Sequence, residues 1–253
     1  PLSCFKENYS SCEKPDVVAY GDTIDENGNL AGVTSFSAPN VVGIIALMLE
    51  LKPSLAAHPE AVKAIIQSSC HRKVIAEGDT ALSSGITDMQ GAGAVDAYTA
   101  VCIVGNGQYI TGTLSGERTV VFEQPIYDGD EININLAWLV DSSFAEDEDH
   151  TTDSLIDVGE IYNLGMDVYL NGSYAATSDL SRVVESTNAE TGEVTYTEEK
   201  CNSSTEMVTL GVTDADSKYY SVRIYNNNTT DAEVPFALAW STDASVFNNN
   251  TSG

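Results

Sequence analysis

At 253 residues the chain is long enough for two modest domains, and its 42% hydrophobic content is that of an ordinary folded protein. A formal net charge of −27 makes nucleic acid and anionic membrane surfaces poor partners, and no apolar run reaches the ~18 residues of a membrane span. Residues 1–104 hold 6 Lys and Arg against 12 Asp and Glu, whereas residues 105–253 hold 5 against 26, so two modules are expected to meet near Val104-Gly105-Asn106-Gly107.

Residues 1–15 read as a loop that feeds a strand at Asp16–Tyr20, and Asp22–Ala31 as a polar turn. The next segment, Gly32-Val33-Thr34-Ser35-Phe36-Ser37-Ala38-Pro39-Asn40-Val41-Val42-Gly43, leads into the apolar run Val41–Leu49. That run is too long for a buried strand and predicts a core helix over about Phe36–Leu51, ended by Pro53. Ser35 then stands at or just before the helix N-terminus, with Pro39 in the first turn, where a missing N–H costs little. Unpaired backbone N–H groups and the positive end of the helix dipole surround such a serine, and these suit an oxyanion on a reacting carbonyl. Read without further context, Thr34 or Ser35 is an ordinary helix cap. A second helix is predicted over Pro59–Ser69, with Val62, Ile65 and Ile66 on one face, then a Gly- and Ser-rich loop over Glu77–Gln90 and a short helix over Ala94–Cys102.

From Tyr109 the period changes to two. Tyr109–Leu114 and Glu117–Phe122 read as paired strands. Glu131–Trp138 alternates, with Ile132, Ile134, Leu136 and Trp138 on one face. Met166–Leu170 is followed by Asn171-Gly172, a hairpin turn signal, and further strands are expected at Met207–Leu210, Tyr219–Tyr225 and Phe236–Trp240. Short strands with turns between them predict an all-β antiparallel sandwich. Trp138 and Trp240 are expected to fill its core, in preference to stacking on carbohydrate.

Of the five cysteines, Cys4 and Cys12 are close enough to bridge across a short loop, and Cys70 and Cys102 read as small buried hydrophobes. The acidic stretch Asp141–Glu160 offers oxygen ligands for Ca²⁺, but its spacing does not match an EF-hand, and a solvated acidic loop is the favoured reading. Asp167 and Glu206, at strand positions, are weaker metal candidates. No cofactor is expected.

The segment around Ser35 resembles the serine motif of subtilisin-like serine proteases, Gly-Thr-Ser-x-(Ala/Ser)-(Thr/Ala/Ser)-Pro-x-Val-x-Gly. Thr34, Ser35, Ser37, Ala38, Pro39, Val41 and Gly43 match position by position, while Val33 and Asn40 stand where the family usually has glycine and often has histidine. Lys14–Gly21 resembles the strand that precedes this motif, Pro59–Ile66 the helix that follows it, and Gly91–Tyr98 the Gly-x-Gly-x-Val-(Asp/Asn)-Ala segment near the end of the protease domain. The second half is similar to the pre-peptidase C-terminal β-sandwich appended to many secreted bacterial proteases, through Asp167–Leu170, Tyr219–Tyr225 and Phe236–Trp240.

The resemblance implies an α/β fold for residues 1–104, as the C-terminal part of a subtilisin-like domain, followed by an accessory sandwich over 105–253. It implies peptide-bond hydrolysis through an acyl-enzyme, with Ser35 as catalytic nucleophile and Thr34 beside it at the substrate-binding turn. In this family the triad runs Asp, His, Ser along the chain, yet no histidine precedes Ser35; His58, His71 and His150 all follow it. The family's asparagine oxyanion donor also has no counterpart upstream. The chain begins at Pro1-Leu2 with no start methionine and no signal peptide, and is therefore read as a piece of a longer, secreted or cell-surface bacterial protease, inactive by itself. Its expected partners are a peptide or protein substrate and the N-terminal part of the protease domain, with self-association through exposed apolar surface as a further expectation. The alternative is a catalytically dead relative that binds or adheres through the sandwich.

Overall fold

The computed structural model describes residues 15–24, 27–28, 30–32, 34–71, 90–122, 130–139, 142–145, 154–158, 162–178, 181–187, 194–200, 204–211, 219–227 and 233–242. Cys4, Cys12, Cys201, His150, the loop at 77–89 and most of the acids in Asp141–Glu160 lie outside these residues.

The first half contains a small antiparallel hairpin, β1 (Asp22–Ile24) with β2 (Leu30–Gly32), where the sequence predicted only a turn. Three helices follow: α1 (Thr34–Leu51), α2 (Pro59–Ser68), after a single 3₁₀ turn at Pro53–Ala57, and α3 (Ala97–Asn106). The predicted strand at Asp16–Tyr20 forms only a single parallel bridge, Val18 to Ala94, supported by bonds from Val18 N to Gly93 O (2.9 Å) and from Val95 N to Val18 O (3.0 Å). Helix α3 starts three residues later than predicted. Asp96 caps it, its carboxylate accepting from Thr99 N at 2.6 Å, so the chain before Asp96 stays extended. The expected module boundary at Val104/Gly105 falls inside α3, which runs on to Asn106.

The second half is mostly antiparallel sheet. One sheet has the order β12-β5-β14-β3 and the other β4-β13-β8-β9. Their strands are β3 (Tyr109–Leu114), β4 (Glu117–Phe122), β5 (Glu131–Trp138), β8 (Leu164–Leu170), β9 (Ser173–Thr177), β12 (Thr205–Gly211), β13 (Tyr220–Asn226) and β14 (Val234–Thr242). Two further hairpins, β6 (Ser142–Ala145) with β7 (Ser154–Val158) and β10 (Ser181–Thr187) with β11 (Val194–Lys200), stand outside these sheets. The first of them occupies part of the stretch expected to be an acidic loop.

The two four-stranded sheets face each other over one core. Ile132, Ile134, Leu136 and Trp138 of β5 meet Met166 and Val168 of β8 and Val222 and Ile224 of β13 there, all of them fully or almost fully buried. Both tryptophans belong to this core, the Trp240 ring tilted by 42° against Phe122 with 3.8 Å between ring centres, so neither presents a ring to a soluble ligand. Strands β3 and β4 do not pair with each other. β3 lies against β14 and β4 against β13, so Ser115-Gly116 crosses from one sheet to the other. The Asn171-Gly172 turn closes β8 onto β9, with φ of 48° and 79°, the two positive values that a two-residue hairpin requires.

The outer face of the β5/β14 sheet is also covered. Ala137, Ala237 and Ala239 point away from the sandwich core and pack with Ala61, Ala64, Ile65 and Ile66 of α2 and Ile103 and Val104 of α3. Alanines on the strands let the helix approach closely, and a polar seam locks the contact. Lys63 Nζ donates to Ser204 Oγ (2.9 Å), and Thr205 Oγ1 bonds the Gln67 side-chain oxygen (2.6 Å). The molecule is thus layered as helices, sheet, sheet, and the two halves share an interface rather than hanging from a tether.

Candidate active site

Helix α1 carries the candidate nucleophile. Thr34 and Ser35 are its first two residues, and both are exposed. The Ser35 N–H is among the donors at a helix start that have no acceptor within the helix. The helix begins two residues earlier than predicted. Pro39 therefore lies in the second turn, not the first, and has no N–H to offer the Ser35 carbonyl four residues back. Asn40 anchors this end of the helix: its Nδ2 donates to the Tyr20 carbonyl at 2.6 Å and ties α1 to the segment that resembles the family's preceding strand. Sequence reasoning noted Asn40 only as a departure from the motif.

Only Ile44 and Met48 of the eighteen residues of α1 are buried, one turn apart, against a cluster that includes Leu55 and Ile103. Phe36, Val42, Leu47 and Leu51 are exposed. A helix apolar on all sides ordinarily lies inside a protein or a membrane, so this face lacks its cover among the described residues. By length and composition alone α1 could also cross a membrane, which the apolar run read from the sequence did not suggest; Thr34–Asn40 add the missing length. On α3, Tyr98 is likewise half exposed, and its hydrogen bond with Cys102 raises its phenol above the usual range.

The described histidines have carboxylate neighbours. His58 Nδ1 lies 3.0 Å from Glu60, and His71 Nε2 lies 3.7 Å from Asp96, the cap of α3. Lys63 pairs with Asp16 at 3.1 Å, fixing α2 to the segment that bonds Ala92. Cys70 and Cys102 are buried, and neither forms a disulfide. Among the described residues no three His, Cys, Asp or Glu gather as metal ligands. Asp167 instead holds Arg223, at 2.6 Å from Nη2, and this bond raises the guanidinium further above its usual range. That pairing follows from strand register and could not be seen in the sequence.

Residues 2–93 match the family model described as Peptidase_S8, the subtilase family. No curated protein matches the chain. Among solved structures, it is similar to the pre-peptidase C-terminal domain of a Bacillus anthracis collagenase at 9% identity and TM-score 0.29, covering 53% of this chain and 87% of that one. It is also similar to PliG of Aeromonas hydrophila, a periplasmic inhibitor of g-type lysozyme, at 12% identity and TM-score 0.28, covering 53% and 83%. The Clostridium perfringens CspB protease aligns with 91% of this chain and 56% of its own length, at 9% identity and TM-score 0.25. The stretch that is similar to the subtilase family, residues 2–93, is thus the one that carries Ser35.

Proposed function

We propose that this chain is the C-terminal portion of a secreted, subtilisin-like serine endopeptidase, with residues 1–104 completing the α/β peptidase domain and residues 105–253 forming an accessory sandwich. The observation that carries the reading is an exposed Ser35 in the first turn of α1, within the segment that matches the subtilase family. Ser35 Oγ attacks the peptide carbonyl, and a histidine from the preceding part of the domain takes its proton. The Ser35 N–H, at the positive end of α1, contributes to the oxyanion site, and Thr34 borders the bound substrate. The preceding part of the domain also supplies the cover for Phe36, Val42, Leu47 and Leu51.

Activity-based labelling tests this. The 253-residue chain alone should leave a fluorophosphonate probe and a casein substrate untouched, because a serine without its base is a weak nucleophile. Mixed or co-expressed with the upstream part of its gene product, it should label at Ser35, and Ser35→Ala should abolish both labelling and turnover. Turnover by the chain alone, or by the reconstituted Ser35→Ala protein, would refute the assignment.

A further inference from the structure

The outward face of the β4-β13-β8-β9 sheet carries an arrangement that peptidase chemistry does not use. Tyr225, Arg223 and Ser221 alternate outward along β13, and Asp167 and Tyr169 do so on β8. The register sets Arg223 opposite Asp167, Ser221 opposite Tyr169 and Tyr225 opposite Gly165. Tyr174 of β9 lies beside Tyr169, their rings 5.9 Å apart and edge to face. The Tyr225 ring lies directly on the backbone of Gly165, where a Cβ would stand 2.6 Å from it. The guanidinium of Arg223 sits 5.4 Å from the centre of that ring. Tyr174 is 60% exposed, and Asp167 is buried beneath its partner. An Arg–Asp pair is thus held between tyrosines on both sides, over a span of roughly 13 Å along β13 at the usual strand rise.

We infer that this face binds an uncharged polysaccharide. Polyanions are repelled by the net charge of −27, and Arg223 offers them no unbalanced cation, since Asp167 lies at 2.6 Å and Glu117 at 3.8 Å. An extended peptide gains its affinity from backbone bonds along an open strand edge, whereas the Arg–Asp pair, Tyr169 and Tyr225 stand on β8 and β13, interior strands whose backbones are committed to their neighbours on both sides; only Tyr174 stands on an edge strand, β9. A sugar chain needs no strand edge. Its C–H faces rest on tyrosine rings, and adjacent hydroxyls, each both donor and acceptor, match a planar donor fork set beside a carboxylate. Gly165 lets the Tyr225 ring lie down against the sheet, and the ion pair fixes the fork before the ligand arrives, which lowers the ordering cost of binding.

Affinity electrophoresis of the full 253-residue chain through gels containing hydroxyethyl cellulose, soluble starch, galactomannan or xyloglucan tests the inference, with gelatin and dextran sulfate gels as comparisons. At least one neutral glycan should retard the chain, with little change on raising the salt. Tyr174→Ala, at an exposed position, should weaken that retardation at least tenfold while leaving the melting curve unchanged. Arg223→Lys, which keeps the charge and loses the fork, should weaken the retardation likewise, and Ser35→Ala should have no effect. Lack of retardation by all four neutral glycans, retardation that survives Tyr174→Ala, or retention on gelatin or dextran sulfate instead would overturn it. None of these outcomes depends on peptidase activity.

Discussion

Ser241 donates its hydroxyl to the backbone carbonyl of Ser68 at 2.6 Å, joining the last residue of α2 to β14. Ser68 answers with its own hydroxyl, which donates to the Ala239 carbonyl at 3.0 Å. The end of α2 thus accepts a hydrogen bond from Ser241 and donates one to Ala239, so bonds run in both directions between α2 and β14 across the seam between the subtilase-like half and the sandwich. The two halves should therefore unfold together. Urea melts followed by tryptophan fluorescence, which reports the sandwich core, and by far-UV circular dichroism at a helix wavelength should superimpose in one transition. Two separated transitions would show that the seam does not couple the halves.

The same seam explains the alanines. Ala239→Leu forces extra volume between β14 and α2 and should cost about 1–3 kcal/mol, read as a lower urea midpoint. A serine at this position, nearly the same size, should cost much less.

Asn135 of β5 is fully buried, and among the described residues neither the oxygen nor the nitrogen of its side-chain amide has a hydrogen-bond partner. Asn135→Leu should be neutral or stabilising to within about 1 kcal/mol, because an unsatisfied amide leaves the interior. Asn135→Asp should cost more than about 3 kcal/mol at neutral pH, since a lone charge would be buried. Burial raises the folded-state pKa of that new carboxyl, so the loss should fade as the pH falls towards the ordinary carboxylate value of about 4 and grow as the pH rises above it. Denaturation midpoints of the variant from pH 4 to 8 would check both sign and window.

On α1 the two faces should answer differently to mutation. Met48→Ala, at a fully buried site, should destabilise by about 2–5 kcal/mol. Leu47→Glu, one residue along and half exposed, should change stability by no more than about 0.5 kcal/mol while reducing the binding of a hydrophobic dye. If Leu47→Glu unfolds the chain, the exposed face has been assigned to the wrong side of the helix.

At the β8–β9 turn, Gly172→Val should cost about 1–2 kcal/mol, because φ there is 79° and a β-branched side chain resists the left-handed region. Thermal melts of the variant beside the parent chain give the value directly.

Much of the sandwich was legible because its signal is local. The alternation of Ile132, Ile134, Leu136 and Trp138 names the inner face, and Asn171-Gly172 names the turn. The partners of each strand were not legible. Adjacent runs such as β3 and β4 look like a hairpin, yet each carries apolar residues for a different sheet, and only register over long sequence separation settles which. The same limit hid the Arg223–Asp167 pair, whose members are 56 residues apart. In the first half the helices were legible by length and apolar content. The start of α3 could have been placed from Asp96, a capping residue three positions before the Thr99 amide that it binds. The stretch Asp16–Tyr20 departs from a strand for another reason: its composition fits a sheet, but among the described residues it has a single bridge, to Ala94.

Because β5 and β14 lie in the middle layer, helices shield them on one side and the second sheet on the other. Neither solvent nor a local fluctuation reaches their amides without dismantling the whole arrangement. In deuterated buffer these two strands should be the last to exchange, so their protection measures the cohesion of the entire molecule rather than of either half.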